Sequence, residues 1–114
     1  MSPSVVVVIR EDPRKTHRAV EALRIALGLS TGENPMTVVL LDQAPLLISD
    51  DPEEIVDGEI LEKYLPSFKH LAIPFAVPSG TGSRFGLDPE FKVNELSEES
   101  IQMLISNSDR VLIF

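Results

Sequence analysis

The chain has 114 residues, 43% of them apolar and 25% charged, the size and balance of one globular domain. A net charge of −8 argues against bulk electrostatic attachment to nucleic acid or an anionic membrane surface. There is no cysteine, so the chain carries no disulfide, thiolate metal site, iron–sulfur cluster, thiol nucleophile or persulfide carrier.

Residues 1–4 lack the basic stretch of a secretory leader, and the apolar run that follows is too short to span a membrane. The expected compartment is the cytoplasm. Residues 5–9, Val-Val-Val-Val-Ile, are continuously apolar and β-branched, which suits a strand buried on both faces in a parallel sheet. Residues 10–16 break that pattern, and Pro13 is placed for the first turn of a helix. Ala19, Val20, Leu23, Ala26 and Leu27 recur at helical spacing, predicting a helix over about 14–29 with Gly28 near its end. Residues 31–35 read as a loop.

Residues 37–41 form a second buried strand, followed by a loop with about one helical turn over 42–49. The acidic run 50–54 predicts a helix start, with Ile55 or Val56, Ile60, Leu61 and Tyr64 as its apolar stripe and Pro66 as its stop. Residues 71–77 are a third apolar run, in which Pro74 predicts a bulge or strand edge. Residues 78–86 are the one glycine-rich loop. A short fourth strand is expected within 91–96. Ser97 is a good N-cap for a helix that buries Ile101, Leu104 and Ile105, and residues 110–114 are a fifth strand. Alternating strands and helices predict an α/β domain over 1–114. It has three layers: about five mostly parallel strands with helices on both faces, in flavodoxin-like order.

The helix sequence Arg-Ala-Val-Glu-Ala-Leu-Arg-Ile-Ala-Leu over 18–27, Leu41-Asp42 closing the second strand, Arg84-Phe85-Gly86 after the third, and Ser108-Asp109-Arg110 leading into Val-Leu-Ile-Phe give the chain its resemblance. In their order and spacing they resemble the DsrE/DsrF-like family, which includes the TusB, TusC and TusD sulfur-relay subunits and YchN-like proteins. The likeness runs from about Val5 to Phe114 and implies a DsrE-like sheet in a homo-oligomer, trimer or hexamer ahead of dimer. A second sulfur-relay-type protein is a further possible partner. In active members a cysteine after the third strand carries persulfide sulfur. By spacing from Arg84-Phe85-Gly86 its place falls near Ser79, and a serine hydroxyl cannot take that role. The resemblance thus implies a cysteine-free branch without the family's persulfide chemistry, a non-catalytic subunit ahead of an enzyme, and no cofactor.

Ligands of doubly wound sheets bind beyond the carboxyl ends of strands, at the point where strand order reverses. In flavodoxin-like order that point lies between the loops after strands one and three. Those loops hold Arg10, Arg14, Lys15, His17 and Arg84, with the hydroxyls of Ser79, Thr81 and Ser83. A small-anion or small-ligand site using these eight residues, in a binding protein or an enzyme, is the alternative to a purely partner-binding role, and solvated loop charges paired with Glu11 and Asp12 are the plain structural explanation. The glycine loop is neither a Walker A sequence nor G-x-G-x-x-G. No metal site is expected: the acidic residues Asp50, Asp51, Glu53, Glu54, Asp57, Glu59 and Glu62 read as a solvated helix face. Asp42 is expected to cap the turn after it, and His70 to sit at a strand edge. Leu46, Leu47, Ile48, Phe75 and Phe85, near loops, suggest a greasy surface that oligomerisation would cover.

Overall fold

In β1 (Val5–Ile9) all five residues are buried, as an all-apolar strand requires when both sheet faces are covered. A computed structural model describes residues 3–32, 35–50 and 55–114. Strands β2 (Met36–Leu40), β3 (Phe75–Pro78), β4 (Val93–Leu96) and β5 (Arg110–Ile113) join β1 in one sheet. Its order is β4-β3-β2-β1-β5, and every pairing is parallel. The α/β fold with five parallel strands is as the sequence predicts.

The alternation along β1 assigns the two faces. Val5, Val7 and Ile9 pack with Val38, Leu40, Phe75 and Val77 against α1 (Arg18–Leu29), α2 (Gly58–His70) and a 3-10 helix over Ala44–Ile48. Val6, Val8, Val39 and Ala76 pack on the other face against Ile101, Leu104 and Ile105 of α4 (Glu98–Ser106). Three successive crossovers step from β1 to β4 in one direction. The return from β4 to β5 crosses the whole sheet, so right-handed connection puts α4 on the opposite face. Ser97 begins α4 as expected, its Oγ accepting from the Ser100 amide at 3.1 Å.

That single helix has nine residues and is about 14 Å long. The five strands it crosses span about 19 Å between the outer two. Running from the carboxyl end of β4 to the amino end of β5, it leaves open the corner where Arg10, Leu41 and Pro78 leave the sheet.

Several boundaries differ from the sequence reading. Helix α1 starts at Arg18, not near Pro13. The amides of Lys15 and Thr16 both donate to the Asp12 carbonyl, and Arg14 N donates to Asp12 Oδ1 at 2.9 Å. This closes an isolated turn before the helix can begin. Helix α2 starts at Gly58 and runs through Pro66. Buried Leu61 and Phe68 on either side of the proline anchor both halves and offset the one lost amide. The acidic start proposed at 51–54 lies outside the described residues. Pro74 precedes β3 instead of interrupting it, and its carbonyl accepts from Val38 N at 3.0 Å. Within the glycine-rich loop, residues Thr81–Phe85 form a short helix, α3. His70 ends α2 instead of lying at a strand edge.

The apolar residues expected at a greasy surface are mostly interior. Leu47, Ile48 and Phe75 are fully buried, and Leu46 and Phe85 are half-buried. Exposed apolar side chains instead include Met103 on α4 and Leu112 and Ile113 on β5. No helix among the described residues is long and apolar enough to cross a membrane.

Candidate functional site

The strand order moves the crevice. β2 lies between β1 and β3, so the loops after β1 and β3 are not neighbours, and the residues following β2 form the middle of the carboxyl-end surface. Asp42 is the central one. Its backbone is left-handed, φ 55°, a conformation Asp tolerates better than most residues, and it turns the chain from β2 into the 3-10 helix.

Two cavities adjoin there and share Asp42 and Pro78 as a common wall. The first, of 380 Å³, is the corner that α4 leaves open. Leu41, Pro78, Ile101 and Ile105 give it an apolar lining, with Arg10, Asp42, Glu98 and Gln102 as its polar groups. The second, of 250 Å³, lies between the segment after β2 and the loop after β3. Ser79, Gly80, Thr81, Arg84 and Phe85 form its β3 side. Gly80 has φ 88°, a conformation that disfavours side chains. The Thr81 hydroxyl donates to the Pro78 carbonyl at 2.5 Å, so this turn is held from within.

The eight residues singled out from the sequence divide into two groups. Arg10, Ser79, Thr81 and Arg84 line the cavities. Arg14, Lys15, His17 and Ser83 do not. Arg14 is engaged by Asp12, with Nε and Nη2 donating to its two carboxylate oxygens at 3.1 and 3.0 Å. The same guanidinium, together with desolvation that opposes it, leaves the Asp12 carboxyl below its ordinary value. His17 stands at the start of α1, and Lys15 and His17 are exposed. The basic loops therefore do not converge on one point.

Gln43, not Asp42, is the N-cap residue of the 3-10 helix, contrary to expectation. The Asp42 carboxylate lies 3.7 Å from Arg10 Nε, with both side chains 64% exposed. That separation is an ion pair without a hydrogen bond. The Arg84 guanidinium lies 4.8 Å from the centroid of the Phe85 ring and has no carboxylate partner among the described residues. Across the two cavities, Arg10 and Arg84 balance Asp42 and Glu98. No cluster of metal-ligating side chains occurs among the described residues.

The sequence reading did not find Leu41, Glu98, Gln102, Ile101 and Ile105 as site residues. The signal was present. Leu41 shares the face of Val39, and Glu98 and Gln102 occur one helical turn apart on the helix that starts beside the Gly80 loop.

An all-parallel five-stranded sheet in this order, with α4 as the one helix on the second face among the described residues, defines the class as an α/β fold of DsrE-like topology. The crystal structure of the ychN protein from E. coli matches it with a TM-score of 0.78 and 18% sequence identity over 100% of both chains. At this identity the likeness is one of fold: the chain is a cysteine-free protein with the DsrE-like fold that YchN adopts. No family model matches the sequence, and no characterised protein matches it by sequence search.

Proposed function

We propose that this protein is a non-catalytic DsrE-like subunit. It assembles with further copies of itself, or with a second protein of a sulfur-relay-type system, and carries no sulfur of its own. The observation that supports this most is the β5 edge. β5 pairs with β1 on one side only, and its Leu112 and Ile113 are 37% and 66% exposed. These neighbours point to opposite faces of the sheet, so apolar surface flanks an open row of backbone donors and acceptors. Edges that stay single in solution are usually shielded by charge, proline or a bulge. At the opposite edge, Asn94 and Glu95 supply polar shielding.

The resemblance favours trimer or hexamer ahead of dimer. Two-fold pairing of β5 edges would by itself give a dimer, or supply one two-fold axis of a hexamer. Light scattering at micromolar concentration tests this. The wild type is expected at a multiple of 12.6 kDa, and Ile113→Lys is expected to shift toward the monomer with an unchanged circular dichroism spectrum. A wild type that is wholly monomeric overturns self-assembly and leaves only pairing with a second protein. Incubation with a persulfide donor should leave the intact mass unchanged, and a stable one-sulfur adduct would contradict the non-carrier assignment.

A further inference from the structure

The two cavities carry a function independent of the β5 edge. We infer that together they bind a free α-amino acid with an aliphatic side chain. Arg84 would take its carboxylate, Asp42 its ammonium, and the corner beside α4 its side chain.

Three observations lead there. First, the polar groups are balanced and separated. Arg84, on the Gly80 side, has no carboxylate partner among the described residues, and its guanidinium lies over the Phe85 ring at 4.8 Å, an arrangement that still allows the edge of the fork to meet a carboxylate. Asp42 lies in the wall common to both cavities, and its only ion-pair partner among the described residues, Arg10, stays 3.7 Å away. Its oxygens therefore remain open to an ammonium donor. A bare anion would meet the charge of Asp42, and a bare cation that of Arg84; a zwitterion satisfies both.

Second, the far cavity is apolar where a side chain would enter. Leu41, Pro78, Ile101 and Ile105 line it, and its apolar character follows from the fold, because α4 is too short to cover that corner. Third, the volumes of 380 and 250 Å³ lie around the lower end of the range for small-molecule sites, about 300–1,000 Å³. In an α-amino acid the carboxylate, ammonium and side chain diverge from one carbon. The shared wall with its carboxylate, the guanidinium on one side and the apolar corner on the other present the matching three directions. Ser79, exposed beside Arg84, adds a hydroxyl donor for the carboxylate.

The test is isothermal titration of the full chain with L-leucine, with backbone amide NMR to locate the contact. Three fragments separate the subsites: 4-methylpentanoate lacks the ammonium, 3-methylbutylamine lacks the carboxylate, and glycine lacks the side chain. Each should bind at least about tenfold more weakly than leucine, the scale of one charge-assisted hydrogen bond or of a buried aliphatic group. Arg84→Gln and Asp42→Asn should each cost a similar factor, and Asn keeps the left-handed backbone accessible. Ile105→Asn should weaken leucine and leave glycine unchanged. Leucine binding no tighter than that of the fragments overturns the assignment. So do amide shifts away from residues 41–42, 78–85 and 101–105, or an absence of binding at millimolar leucine. If a second copy covers the corner in the assembled protein, leucine will fail to bind the oligomer, and this inference falls while the assembly reading stands.

Discussion

Phe75→Ala is expected to destabilise the protein by about 3–5 kcal/mol, the usual range for deleting a buried aromatic ring. Phe75 is fully buried at the start of β3. Its ring lies 5.5 Å from that of Phe68 in α2, tilted at 41°, and 5.7 Å from that of Phe91, edge-on at 83°. Transfer of the side chain from water accounts for about 1.5–3 kcal/mol. Each ring pair adds about 0.5–1.5 kcal/mol beyond area burial, and incomplete collapse of the cavity raises the cost further. Phe75→Leu keeps most of the volume and should lose less than half as much. In a domain of this length the alanine variant should melt roughly 10–25 °C lower. The measurement is equilibrium urea unfolding, in which the midpoint should fall while the m-value stays constant. An alanine variant within about 1 kcal/mol of wild type would show that this trio does not tie α2 and the segment before β4 to β3.

The Lys69 ammonium lies 2.9 Å from Asp88 and 3.0 Å from Glu90, 4.9 Å over the Phe91 ring. Its hydrogen bond holds the Asp88 carboxyl below its ordinary value of 3.8. This contribution is present above that value and is lost as pH falls through the depressed one, so acid unfolding should begin later in wild type than in Lys69→Met. The same contacts raise Lys69 above 10.5; that contribution is complete below 10.5 and fades as pH rises through the raised value. Identical pH–stability curves for Lys69→Met and wild type would refute both statements. Ser97→Ala removes the cap of α4 and should cost about 1 kcal/mol in urea unfolding. No change would mean that the Ser100 amide is equally well served by water.

The five strands and the α4 cap were legible because their signals are local: β-branched runs, a Ser at the start of an apolar stripe, and glycines where the chain turns. The starts of α1 and α2 were not. Helix α1 is delayed by hydrogen bonds to Asp12, and the buried Pro13 accepts from Val56 at 2.8 Å, a partner 43 positions away in sequence that no local pattern announces. Pro66 reads as a helix stop because its local cost is plain, whereas the compensation comes from Leu61 and Phe68 packing against other elements. The site was half legible. Charge counting found Arg10 and Arg84, but the shared wall at Asp42 depends on β2 lying between β1 and β3, and strand order is a property of the whole sheet.

That strand order also bears on what the site can do without a thiol. At the carboxyl edge of the sheet, Ser79 and Arg84 line one cavity. The groups around it are fixed by the scaffold: Asp42 by the β2 exit, Pro78 by β3, and Ile101 and Ile105 by α4. The chain has no thiol, and this surface presents a guanidinium, a carboxylate and an apolar corner. Binding at the crevice and pairing at the β5 edge use different residues. A variant at Arg84 should therefore leave the oligomer unchanged, and Ile113→Lys should leave the cavity walls in place. If either substitution changes both properties together, the two surfaces are coupled through β1, the strand that leads to Arg10 at one end of the crevice and pairs with β5 along its length.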